Sequence, residues 1–142
     1  MLDAVETRLK TLAPDLGGRV DQLLSLEKVL KTGGLPETTT TFLVPLGLTG
    51  GAIEYATGEL HQDTVERLGV LLVLRSRDRT GEAAIGKLRD LRGQVIAALV
   101  GWSPGTDFGV FTLARASLGP VLAGAVLYLL EFTINDQLRI PT

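Results

Sequence analysis

Apolar positions at the start of the chain recur at helical spacing. Leu2, Val5, Leu9 and Leu12 fall on one face of a helix. Asp3 and Glu6 have the spacing of a capping box, and Pro14 closes the run. Gly18-Arg19-Val20 reads as a short bridging strand. Asp21 stands where it would cap a second helix, with Leu23, Leu26, Val29 and Leu30 on one side. Lys28 and Lys31 suit its last turn, and Gly33-Gly34 supplies a stop. The pattern then changes. Residues 38–46 are β-branched and aromatic and predict a strand, which Pro45 confines to an edge or an end. Residues 47–58 carry four glycines among small and polar residues and read as a loop.

Residues 60–75 read as one long strand of two characters. Gln62, Asp63, Thr64, Glu66 and Arg67 make its first half polar, whereas residues 70–74 are continuously apolar. That change predicts a strand leaving the domain at one end and buried on both faces at the other. A charged turn follows over 75–81, and Thr80 is placed to cap a helix over 81–101. Ala84, Leu88, Leu91, Val95, Ala98 and Trp102 share its apolar face. Ser103-Pro104-Gly105 breaks the chain. Two strands, 108–117 and 121–135, are predicted around a Gly119-Pro120 turn, and the tail 136–142 is left to pair or dangle. The order ααβ–β–α–β–β predicts an α+β fold. Its expected form is a mainly antiparallel four-stranded sheet with helices packed on one face, as a single domain over 1–142.

Composition changes the picture in one respect. Apolar residues make up 45% of 142 and charged ones 21%, with a mean hydropathy of +0.28. That is oily for a small chain with much surface, and it points to apolar surface hidden in an assembly or a membrane. The longest apolar stretch, 118–130, is too short for a spanning helix and contains Gly119, Pro120 and Gly124. The start has no basic segment followed by an apolar one, so no signal peptide is expected. Assembly is the remaining reading.

The chemistry is sparse. Cysteine is absent and histidine occurs once, which excludes thiolate metal sites and paired-histidine sites. A net charge of −2 argues against a general nucleic-acid binder. No nucleophile elbow or phosphate loop is present, and no catalytic, metal or cofactor residue is predicted. His61 and Asp63, two apart on a strand, form the only acid–base pair, and a solvated strand end explains them as well. Glu54 and Tyr55 suit loop anchoring or a partner contact. Trp102 suits packing in the core or against a subunit. Arg75, Arg77 and Arg79 alternate with Ser76, Asp78 and Thr80, and Asp78 dilutes a phosphate-gripping patch. The candidate interface residues are Leu48, Glu54, Tyr55, His61, Asp63, Glu66, Arg67, Arg75, Arg77 and Arg79.

The ensemble of segments resembles the tail terminator proteins of long-tailed phages. The resemblance is carried by the opening residues 1–9 with Val20 and by Phe42-Leu43-Val44-Pro45-Leu46-Gly47. It extends through Gly50-Gly51, residues 70–75, Ala97-Ala98-Leu99-Val100-Gly101-Trp102, Tyr128-Leu129-Leu130-Glu131-Phe132 and residues 136–140. These are packing patterns, with no catalytic motif to transfer. The resemblance implies a non-enzymatic virion protein of the tail or neck, assembled in the host cytoplasm. It further implies a six-membered ring on the last ring of the tail tube that stops tube growth and joins the head connector. Its implied partners are itself, the tube protein and the connector, with DNA only as cargo through the lumen and no membrane. An extended strand or hairpin would reach the neighbouring subunit, and the tail would be non-contractile. Two alternatives stand beside it: another head–tail joining or tail-completion protein, and a small enzyme or ligand-binding domain using His61 and Asp63 with Glu54 and Tyr55. A nucleic-acid-binding module is a fourth reading.

Overall fold

Val5 and Leu9, one helical turn apart, are fully buried in helix α1 (Leu2–Leu12). Burying such side chains stabilises by roughly 1.5–3 kcal/mol each. The structure, a computed structural model, describes residues 1–23, 38–75, 82–105, 109–122 and 124–142. Asp3 caps nothing: the helix starts after Met1 without a side-chain cap, and Asp3 instead accepts a hydrogen bond from Gln22 at 2.7 Å. A 3-10 turn (Pro14–Leu16) follows and ends at Gly17 in the left-handed region. Strand β1 (Val20–Gln22) comes next. Asp21 lies within it, opposite Phe42, so it does not cap a helix. The second helix expected beyond it, with Leu26, Val29 and Leu30, lies outside the described residues, as do Arg77, Arg79 and Thr80.

Three strands of equal length dominate the molecule: β2 (Thr40–Ala56), β3 (Glu59–Arg75) and β5 (Ala125–Pro141). Helix α2 (Glu82–Leu99) and strand β4 (Phe111–Leu122) lie between β3 and β5 in sequence. The sheet order is β1-β2-β3-β5-β4. All neighbours are antiparallel except β1 and β2, which run parallel. The fold is therefore α+β with a mixed five-stranded sheet, not a purely antiparallel four-stranded one. The extra strand exists because the chain after the 3-10 turn reaches the β2 edge, where Thr41 donates to Arg19 and Leu23 donates to Leu43.

Three further boundaries differ from the sequence reading. Residues 47–56, read as a loop, continue β2 to a tight turn at Thr57-Gly58. Gly119-Pro120 lies inside β4, where a register shift between Leu118 and Val121 absorbs it. The tail 136–141 belongs to β5 and pairs with β3 down to Glu59. In each case a neighbouring strand supplies the ladder that local sequence does not announce.

β3 is central and alternates strictly. Leu68, Val70, Leu72 and Leu74 join the main core with Tyr128, Leu130, Phe132 and Ile134 of β5. Helices α1 and α2 cover this face through Val5, Leu9, Leu88, Leu91, Val95, Ala98 and Leu99. The opposite face carries a second cluster, Phe42, Val44, Leu71, Val73, Ala125 and Leu127, with Leu23 packed against it. This is the two-sided burial expected of the apolar half of β3. Polar links tie the helices together: Arg8 donates to the Ala98 carbonyl at 2.9 Å, and Gln94 and Asp15 are doubly bonded. Arg92 of α2 donates to the Tyr128 hydroxyl of the sheet.

Candidate functional site

Beyond the helices the three long strands run on as an arm. It consists of residues 47–56 of β2, 59–67 of β3 and 135–141 of β5. At about 3.3 Å per residue the arm extends roughly 25–30 Å. β1 covers β2 only at Thr41, Phe42 and Leu43, so among the described residues the arm side of β2 is an edge. Pro45 sits just past that cover and beside a register shift, positions a strand tolerates. A second shift lies between Gly50 and Ile53. Gly51 approaches Asp63 closely there, since a Cβ would stand 3.2 Å from the Asp63 carbonyl oxygen.

The register sorts the arm into two faces. On the helix side, Ile53 lies across from Gln62 and Leu138, and Tyr55 from Leu60 and Ile140. Leu48 lies across from Glu66 and Ile134 on the same side. Among the described residues no helix covers Leu48, Ile53, Tyr55, Leu138 or Ile140. Tyr55 is 81% exposed, Leu48 60%, Ile53 51%, Ile140 51% and Leu138 41%. Contiguous exposed apolar side chains of this kind mark an interaction surface.

The other face of the arm is polar. His61 lies across from Glu54 and Arg139, and Asp63 from Gln137. Gln137 donates to Asp63 at 3.2 Å, and Arg139 donates to Gln137 at 3.2 Å. His61 Nε2 stands 3.0 Å from Glu59, an ion pair only when the imidazole is protonated and without hydrogen-bond alignment. His61 and Asp63 therefore each have another neighbour, and the acid–base pair read from sequence is not formed. Arg67 donates to the Leu46 carbonyl at 3.4 Å and braces the first register shift.

Seven of the ten candidate interface residues share this arm: Leu48, Glu54, Tyr55, His61, Asp63, Glu66 and Arg67. They divide between its two faces. Arg75 lies at the opposite end of β3 and is not part of it. The sequence reading missed Ile53, Leu138 and Ile140. The period-two spacing of Ile134, Leu138 and Ile140 was an available signal for the last two. It also missed a groove of about 530 Å³ beside α1, lined by Asp3, Ala4, Thr7, Arg8, Thr11, Leu12 and Trp102. The Arg8 guanidinium sits 5.0 Å from the Trp102 ring centre, and Trp102 stacks on Phe111. No local pattern could link residues 8 and 102.

Among the described residues, no three His, Cys, Asp or Glu side chains cluster to hold a metal, and no helix is long and apolar enough to cross a membrane. The phage tail terminator protein family matches residues 2–142, essentially the whole chain. The chain belongs to that family. Membership gives it a structural role in a phage tail, within a virion that holds other tail components, and points away from an enzyme. A solved structure, the virion of a native gene transfer agent particle, contains a chain of the same fold. The two agree with a TM-score of 0.59 at 15% identity, over 95% of this chain and 92% of that one. No curated protein matches the chain.

Proposed function

We propose that the protein forms a ring, six-fold in symmetry, that caps the tail tube, stops its growth and offers its far face to the head connector. The unit of the ring is the single domain over residues 1–142. The observation that carries this reading is the arm: a sheet extension whose apolar side chains Leu48, Ile53, Tyr55, Leu138 and Ile140 are left exposed among the described residues. A ring built from one repeated contact needs two different complementary surfaces per subunit. The arm is one of them, and the body of the next subunit supplies the other. The tube protein and the connector meet the two ends of the ring in the tail or neck of the virion, after assembly in the host cytoplasm. DNA passes through the lumen as cargo, which a net charge of −2 suits better than a basic surface would.

The test is tail length. Phage lacking the protein should make tubes of uncontrolled length that do not join heads, and added protein should restore unit-length, joinable tails. The His61→Ala variant should restore them as well as the wild type does. Unit-length tails made without the protein would overturn the reading, and a measurable activity lost in His61→Ala while tails still assemble would favour an enzyme.

A further inference from the structure

Among the described residues the sheet has two long free edges, and they match each other. At one side, β2 has no strand partner outside Thr41–Leu43 among the described residues. At the other, β4 is bridged among the described residues only at Phe111, by the segment Val100–Trp102. Neither edge carries a lysine, and the proline and register shifts on each leave the stretches 53–56 and 115–118 regular and open to pairing. Residues 47–56 contain one charge, Glu54, and residues 111–122 contain one, Arg115. Glu54 has no partner among the described residues, and Arg115 holds Glu131 only at 3.7 Å with its own side chain 67% exposed.

Faces and directions also agree. Glu54 is level with His61, and Arg115 with Glu131, so both lie on the sheet face away from the helices. Leu48, Ile53 and Tyr55 on one edge, and Leu113 and Leu118 on the other, lie on the helix side and are exposed. Successive antiparallel pairings from β2 through β3 and β5 leave β2 and β4 pointing in opposite directions. A rotation about a ring axis preserves which face is outward. It therefore brings β2 of one copy to β4 of the next in the antiparallel sense, the better ladder.

We propose that the outer edge of β2 in the arm pairs antiparallel with the outer edge of β4 in a second copy of this chain, setting Glu54 beside Arg115. This register places Ile53 against Ala116, a large side chain against a small one, and brings Tyr55 to the register shift between Leu113 and Arg115. Glu54 is level with residue 61 of β3, and Arg115 is level with residue 69 through β5. Neighbours are thus staggered along the strands by about 26 Å, and each arm laps the body of the next subunit. Closed sheets accommodate such stagger by tilting their strands.

The inference rests on the ring reading, and cross-linking separates the two. The chain has no cysteine, so the background is clean. Arg115→Cys is combined in turn with Glu54→Cys and Ala56→Cys, and Arg115→Cys alone is the control. Within one chain these positions lie three strand spacings apart, about 14 Å, and about 26 Å or more apart along the strands, far beyond the roughly 7 Å limit for a disulfide. Oxidised double variants should give a ladder of covalent oligomers that ends at the ring, on purified tails or alone. The control should give none. A ring by light scattering with no ladder from either pair overturns the edge pairing and leaves the ring standing. No assembly either alone or on purified tails overturns both. Cross-links to the tube protein only would assign the arm to the tube instead. As a second measurement, Glu54→Arg or Arg115→Glu should weaken association roughly two- to five-fold per contact, and the double reversal should restore it.

Discussion

Thr41 lies fully buried on the helix side of β2, and its hydroxyl has no hydrogen-bond partner. A buried polar group without a partner costs free energy, and valine has nearly the same shape without the hydroxyl. Thr41→Val should therefore raise unfolding stability by about 1 kcal/mol. Urea denaturation measures it, and a loss of stability would mean that the hydroxyl is satisfied after all. Gly109 makes the opposite case. Its N–H donates to the Asn135 carbonyl at 3.0 Å, and an added Cβ would stand only 2.6 Å from that same oxygen. The obstacle is backbone, so it cannot rotate away. Gly109→Ala should lower stability by about 1–3 kcal/mol, as overpacking does. An unchanged denaturation midpoint would show that the 109–135 contact is loose.

At the scale of elements, the arm separates assembly from folding. Its helix-side residues are exposed in the single chain, so Ile53→Ser with Tyr55→Ser should leave the thermal unfolding of the monomer nearly unchanged. The same pair should lower the yield of rings on tails sharply. A melted monomer would show instead that the arm supports the fold. The elements that sequence announced are those with an uninterrupted period: α1, the buried half of β3, α2 and the apolar half of β5. Those it concealed owe their form to a neighbour. Residues 47–56 look like a loop because two register shifts break the alternation and glycines fill the gaps. β3 holds them extended all the same. Asp21 looks like a cap, yet the chain there is captured by the edge of β2. The candidate interface was legible where polar residues interrupted a long strand, at His61, Asp63, Glu66 and Arg67. Its apolar half was not, because Leu138 and Ile140 meet Ile53 and Tyr55 only through the register of three strands.

For the whole molecule, the sense of the proposed contact matters more than its strength. A two-fold dimer uses one patch twice, whereas a ring of this kind uses two different patches once each. Variants that spoil one patch at a time tell these apart. Ile53→Lys with Tyr55→Lys spoils the β2 edge and leaves β4 intact. Leu113→Lys with Leu118→Lys does the reverse. Lysines on an edge strand oppose pairing with another chain, and all four positions are exposed, so the fold should survive. Alone, each variant should remain a monomer of 15.1 kDa. Mixed in equal amounts, one variant's intact β4 edge can take the other's intact β2 edge. The product then has a spoiled patch at each end and cannot grow. Light scattering of the mixture should therefore detect dimers and nothing larger, while the wild type goes on to a ring. A mixture that stayed monomeric would mean that the two edges do not meet. A mixture that still formed rings would mean that the contact holding the ring lies elsewhere, with the groove beside Trp102 as the next surface to alter.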